Sequence, residues 1–379
     1  MENQPAGKKI GHLTRDGANV KFYPLPPEFF IDNSDAPQIG MSGEKVLYAS
    51  EEQSLIDACF KILCGPGEVV VYTSPDWHIH NHPVRMEALC KKLETEEEDH
   101  FLPVSPKLRP LLKDAVLLCL CSPSNPVGAV LKEDQLQEII AMILDENKRR
   151  KADEKKIYLF FDAMYARMLF RDDVLTSYSR FGPIKEYTIF AEAMYRPFSS
   201  TGPLHIVWCR GPEKILQKME IVLSEKGTLL EKPADQQYVN QYIRNIKKYN
   251  SSTYTFQQSL IEAMTLFHVG VYGMKFNGYP VQTLGPSFCG GVYLPLKIDI
   301  IGKHTPCDQF LNTAEDISNH LQEKTGIELF PFSRFGCANT LPWFSLNIGQ
   351  YNPDEIPSMI KSLQSALEFA KGFGLYSGI

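Results

Sequence analysis

Two short apolar runs flank one amphipathic stretch between residues 115 and 162, and that pattern admits few folds. Ala115 to Leu120 is unbroken apolar sequence of strand length, which predicts a strand buried on both faces. The turn-forming run Ser122-Pro123-Ser124-Asn125-Pro126-Val127-Gly128 follows it. Asp134 to Arg149 then carries Leu136, Ile139, Ile140 and Ile143, the spacing of a single helix face. Ile157 to Phe161 predicts a second buried strand, which ends in Asp162-Ala163-Met164-Tyr165. A strand–turn–helix–strand unit of this length belongs to a parallel sheet. Its polar residues fall where the strands end, and open α/β sheets bind ligands there.

The rest of the chain extends the same reading. A helix is expected over Glu52 to Leu63, ended by Gly65-Pro66-Gly67, with a strand over Val69 to Tyr72. Lys91 to His100 is a charge run, expected to be a solvated loop or helix end. Further strands are expected over Tyr187 to Ala191, Leu204 to Cys209 and Pro342 to Ile348. Pro233 to Tyr249 and Tyr254 to Phe267 read as two helices, and His268 to Pro280 as a short Gly-rich connection. Thr313 to Lys324 and Pro353 to Lys371 read as the last helices, the latter capped by Asn352. The expected organisation is an extended arm over 1–44, a large domain over 45–250 and a smaller α+β domain over 251–379.

A formal net charge of −6 argues against a nucleic-acid partner, and no apolar run approaches a membrane span. The opening Met1-Glu2-Asn3-Gln4-Pro5 is polar, and the nine Cys stand mainly in apolar contexts such as Cys119 and Cys121. Both features point to reduced thiols in a cytoplasmic protein. His78, His80 and His82 alternate as metal ligands on a strand would. We read them as solvated histidines at a helix start, with no metal site.

Taken together, these motifs resemble the fold type I, pyridoxal-phosphate (PLP) dependent aminotransferases, in particular aspartate aminotransferases and aminocyclopropane-carboxylate synthases. The resemblance implies a large domain with a mainly parallel sheet, a smaller C-terminal domain and a homodimer. Asn125 matches the Asn of the family's Asn-Pro-x-Gly turn, which bonds the 3′-oxygen of the cofactor ring. Asp162 matches the Asp paired with the pyridinium nitrogen, and Tyr165 the Tyr three residues later that bonds the 3′-oxygen. Trp77, in Ser74-Pro75-Asp76-Trp77, matches the aromatic that stacks on the ring. A carboxylate beside the ring nitrogen keeps it protonated, so the ring accepts carbanion density. Each residue also has a plain structural role open to it: a turn, a helix cap, core aromatics.

Other family positions depart from the pattern. The position read for the aldimine Lys holds Glu192, and Ser200 stands where the phosphate-binding Arg belongs. The phosphate loop reads Ser50-Glu51-Glu52, whose carboxylates would repel a phosphate dianion. Pro342-Trp343-Phe344-Ser345-Leu346-Asn347 lacks the Arg that grips a substrate carboxylate. Tyr48 stands too near the loop to serve as the Tyr that reaches the neighbouring subunit's phosphate. The expectation is therefore an aminotransferase-like protein that is not a working transaminase. One alternative is a Lys-independent enzyme holding PLP or pyridoxamine phosphate (PMP) non-covalently and acting on an amino acid or amine, with Glu192 as general base. Another is a non-catalytic regulatory or binding subunit with a protein partner, such as an active paralogue. A third is a repurposed cleft using Glu192, Asp162 and a His from residues 78–82. Lost charge-assisted bonds, worth about 1.5–3 kcal/mol each, favour a version without cofactor.

Overall fold

The computed structural model describes residues 45–76, 79, 87–166, 178–194, 206–230, 246–284 and 290–372. Trp77, the three histidines of residues 78–82, Ser200 and the arm over 1–44 lie outside them.

The first unit is a mixed, mainly parallel sheet flanked by helices. Its strands are β1 (Val46–Ala49), β2 (Val69–Ser74), β3 (Leu89–Glu94), β4 (Ala115–Cys121), β5 (Tyr158–Asp162), β6 (Thr188–Met194) and β7 (Ile206–Arg210). They lie in the order β1-β7-β6-β5-β4-β2-β3. Pairing is parallel from β3 through β6, while β7 runs antiparallel to both β6 and β1. The flanking helices are α1 (Glu52–Leu63), α2 (Ser105–Leu112), α3 (Glu133–Arg149) and α4 (Glu213–Glu225). Alternation along the central strands separates two cores. Leu118, Phe161 and Phe190 meet α2 and α3 residues on one face, and Cys119, Phe160 and Ala191 meet α1 and α4 residues on the other.

The second unit begins with the long helix α5 (Ile246–Phe276) and continues through β8 (Val281–Thr283), β9 (Tyr293–Ile298), β10 (Lys303–His304) and β11 (Phe310–Leu311). It ends with α6 (Ala314–Thr325), β12 (Phe330–Pro331), β13 (Trp343–Asn347) and α7 (Ile356–Leu367). β12-β13-β9-β8 form an antiparallel sheet, and β10 pairs with β11. Thr313 caps α6 by accepting from Asp316 N, with the Asp316 carboxylate returned to the Thr313 amide.

Two expectations are corrected here. From Ile246 to Phe276 the end of the first expected helix, the second helix and most of the expected connection are one continuous helix, α5, while residues 233–245 lie outside the described residues. One of the glycines that argued against a helix serves close packing. A Cβ at Gly270 would lie 2.5 Å from Ile360 Cγ1, so α5 and α7 approach only because that carbon is missing. Gly270→Val is expected to destabilise the protein by about 1–3 kcal/mol, and Ile360→Ala to restore part of that loss in the double variant. Urea denaturation of the three variants measures both. The charge run is the second correction. Its first half forms β3, an edge strand paired only with β2, where lysines are tolerated because one side faces solvent. Its second half holds the two units together. Glu97 accepts from Gln282 Nε2 at 2.5 Å, Lys297 Nζ at 2.8 Å and Trp343 Nε1 at 3.2 Å. Glu97→Ala removes all three bonds from a half-exposed place, and a loss of about 1–2 kcal/mol is expected by the same method.

Candidate functional site

The end of β4 passes into a turn whose own backbone fixes it. Gly128 N donates to Ser124 O at 2.6 Å, Ser124 N to Ala129 O at 2.8 Å, and Leu131 N to Ser122 Oγ at 3.0 Å. Gly128 has φ +78°, a conformation that suits glycine. The turn is anchored on both sides. Ser122 N donates to the carbonyl of Asp162 at 2.9 Å, and Ser345 Oγ on β13 donates to Pro126 O at 3.0 Å. Asn125 is thereby held buried, with its amide nitrogen 3.5 Å from the Tyr165 hydroxyl. Its Oδ1 is buried without a hydrogen-bond partner. A buried, unsatisfied amide oxygen costs about 1–3 kcal/mol, which marks the position as kept for something other than stability.

Asp162 closes the neighbouring strand. Its Oδ1 accepts from Met164 N at 2.9 Å, an Asx turn that ends β5 and brings Tyr165 toward Asn125. Asp162 and Asp76, at the ends of β5 and just past β2, are both buried. The Cys121 thiol, whose residue pairs with Asp162 across β4 and β5, is pushed up by burial first and then by the charges of Asp162 and Asp76. From the second unit, Tyr293 brings its ring to 6.0 Å from that of Tyr165, edge to face. Burial raises the Tyr293 phenol, hydrogen bonds from Tyr165 and Asn125 draw it back, and the charge of Glu52 raises it. Asn125, Tyr165 and Tyr293 therefore form one cluster at the strand ends, with the start of α1 beside it.

At the start of α1 one amide and two hydroxyls are already engaged. Ser50 N donates to Thr228 O at 2.9 Å, and Ser50 Oγ points at the same carbonyl from 3.4 Å. Ser54 Oγ donates to Glu51 Oε2 at 2.9 Å.

Glu192 lies on the neighbouring strand β6, one residue past Ala191, the register partner of Asp162. β6 continues to Met194, so Glu192 lies inside the strand rather than at its end, paired across the sheet with Trp208. Its Oε2 accepts from Trp208 Nε1 at 3.0 Å and from Arg210 Nη2 at 2.9 Å, all three residues being buried. The Arg210 guanidinium stacks 4.9 Å from the Tyr178 ring centroid and 5.8 Å from that of Phe190. Glu192 shares its sheet face with Phe190, which stacks on Phe161 across the β5–β6 pair. Asp162, one residue past Phe161, belongs to the opposite face. Glu192 and Asp162 therefore leave their strands on opposite faces of the sheet.

Residues 30–194 match the sequence profile of aminotransferase class I and II. Over that stretch the chain is similar to this family. It is 27% identical over 187 residues to an aspartate/prephenate aminotransferase of Thermus thermophilus, spanning 49% of this chain and 45% of that protein. An aspartate aminotransferase of Pinus pinaster is 27% identical over 154 residues, covering 40% of this chain and 30% of its own length. The chain thus matches less than half the length of these relatives. In three dimensions it resembles the aspartate aminotransferase of Rhizobium meliloti, with TM-score 0.70, 18% identity and coverage of 85% of this chain and 76% of that one. A Thermus thermophilus aspartate aminotransferase variant gives TM-score 0.69 at 16% identity, over 95% of this chain and 88% of that one. At such identities the likeness is one of fold.

Set against the cofactor that this family uses, the residues fit unevenly. Asp162, Asn125 and Tyr165 present a buried carboxylate, an amide with an unpaired oxygen and a phenol, a donor set suited to a pyridine ring. Among the described residues, the start of α1 carries Glu51 and Glu52 and has the Ser50 and Ser54 hydroxyls engaged, features unfavourable to a phosphate. Reading the sequence singled out Asn125, Asp162 and Tyr165 but missed Tyr293, which only the three-dimensional packing brings to them. The one signal available was its place after the glycines of Cys289-Gly290-Gly291-Val292.

Proposed function

We propose that this chain is an aminotransferase-fold protein whose cleft holds a nitrogen-containing aromatic ring or amine non-covalently, and that it does not perform ordinary transamination. The observation that carries this reading is the paired character of the cleft. A buried Asp162, Asn125 with its unpaired Oδ1, and Tyr165 sit together at the strand ends, while Glu192 is committed to Arg210 on the other face. When such a ring is bound, it supplies an electron sink for carbanion chemistry. The residues here hold and orient it: Asp162 stabilises a protonated ring nitrogen, and Asn125 and Tyr165 bind the ring's oxygen. In this reading the small-molecule ligand is an amine or amino-acid derivative, the protein is cytoplasmic, and it assembles as a homodimer as that family does.

The test is an absorbance titration with PLP and with PMP, followed by borohydride reduction and intact mass. Saturable binding with no borohydride-fixed adduct is the expected outcome. A fixed adduct would restore covalent PLP chemistry and overturn the reading, and the absence of any binding at millimolar ligand would leave the cleft without its proposed occupant.

A further inference from the structure

The second unit holds a cavity of about 500 Å³, built by two helices and a loop. On α6, His320 and Lys324 stand four residues apart and so share a helix face. On α7, Lys361 and Ser365 share a face in the same way, with Ser362 and Ala366 beside them. The turn after α7 adds Glu368 and Phe369, and the loop between β10 and β11 adds Pro306 and Cys307. None of these residues belongs to the cluster of Asn125, Tyr165 and Tyr293.

The charged groups of this wall favour an anion. Lys324 and Lys361 are exposed at its edge, and Lys361 makes no ion pair among the described residues. Lys324 meets Glu323 at 3.2 Å, an exposed pair that water screens. Glu368, the carboxylate among the described lining residues, is engaged at both oxygens. Its Oε2 accepts from the Tyr279 hydroxyl and its Oε1 from Lys371 Nζ at 3.3 Å. His320 is the buried residue of the wall, its ring 6.0 Å from that of Phe369, edge to face. Its Nε2 has no hydrogen-bond partner, and a bound ligand or water ordinarily accounts for such an orphaned atom.

We infer that this cavity binds a small organic phosphate, a monoester with an apolar body. Two ammonium groups match the double charge of such a phosphate, and the hydroxyls of Ser362 and Ser365 add donors beside them. A monocarboxylate would leave one ammonium unmatched. The volume is that of a small-molecule site, with room beyond a bare phosphate ion. Pro306, Ala366 and Phe369 supply apolar wall for the rest of the ligand. The inference stands apart from the cleft and concerns binding alone, with no bond made or broken.

The experiment is a calorimetric titration of the full chain with phenyl phosphate, inorganic phosphate and benzoate, for the wild type and for Lys324→Gln/Lys361→Gln. Phenyl phosphate is expected to bind more tightly than the other two. The double variant is expected to bind it about 5- to 30-fold more weakly, the loss of two partly screened charge contacts. Both lysines are exposed, so the variant should melt as the wild type does. Alkylation by iodoacetamide, read by peptide mass, locates the ligand. Bound phenyl phosphate should slow modification of Cys307, in the cavity wall, by about threefold or more, and leave the exposed Cys90 on β3 unaffected. Equal affinity in wild type and double variant would overturn the inference, and so would an unprotected Cys307 at saturation. Benzoate binding as tightly as phenyl phosphate would overturn the choice of a phosphate. No binding at millimolar ligand to a protein that melts normally would leave the cavity without a phosphate site.

Discussion

Replacing Arg210 with alanine is expected to destabilise the protein by about 3–5 kcal/mol, the cost of stranding one partner of a buried ion pair. The Glu192 carboxylate is buried and takes bonds from the Arg210 guanidinium and the Trp208 indole. Without Arg210 only the indole remains, and the cation that stacks on Tyr178 and Phe190 is lost too. The pair as a whole is worth far less than this. Glu192→Leu combined with Arg210→Met is expected to recover most of the loss, because an apolar pair of similar volume carries no desolvation cost. Urea denaturation of wild type, single and double variants closes the cycle.

The same geometry sets a sharper contest at residue 192. Read along the sequence, Glu192 occupies the aldimine position, so Glu192→Lys would rebuild a PLP enzyme. In the structure the new ammonium would face the Arg210 guanidinium on the sheet face opposite Asp162. Glu192→Lys is accordingly expected to be strongly destabilised and to give no borohydride-fixed PLP adduct. A stable variant that forms the adduct would show that residue 192 reaches the cleft after all.

Much of the fold was legible because its signals are local. The strand of residues 115–121 is an uninterrupted apolar run, and α1 carries Leu55, Ile56, Cys59 and Leu63 at helical spacing. The failures came where the deciding contact is distant in sequence. Gly270 and Gly273 lower helix propensity, and only the close approach of α7 at Ile360 explains a glycine in the middle of α5. Lys91 and Lys92 read as solvated, yet the pairing of Val71 and Tyr72 with them makes an edge strand. At the site, Asn125 and Asp162 were visible because strand ends can be found from apolar runs. The face on which residue 192 lies depends on where β6 ends, and one residue of register moves a side chain across the sheet. Tyr293 joins the cluster through packing between the two units, for which the sequence carries no period.

The cleft itself is best tested by residues whose effects on stability and on binding separate. Asp162→Ala is expected to lower affinity for PMP by about 10- to 150-fold, the loss of one charge-assisted hydrogen bond of about 1.5–3 kcal/mol. It also removes the acceptor of Met164 N, so the turn after β5 is weakened and the melting temperature should fall. Asp162→Asn isolates the charge. Its amide oxygen can still accept from Met164 N, so stability should stay near wild type while affinity drops nearly as far as in the alanine variant. Asn125→Ala tests the opposite sign. Because Asn125 Oδ1 is buried with no partner, removing the amide relieves a cost in the free protein. Asn125→Ala is therefore expected to melt at or above the wild-type temperature while binding the ring at least about tenfold more weakly. Wild-type affinity in Asp162→Asn would remove the carboxylate from the ring nitrogen. A large stability loss in Asn125→Ala would instead make the Asn-Pro turn a purely structural element. Opposed signs in the two measurements are what a side chain kept for a ligand produces, and a side chain kept for the fold does not produce them.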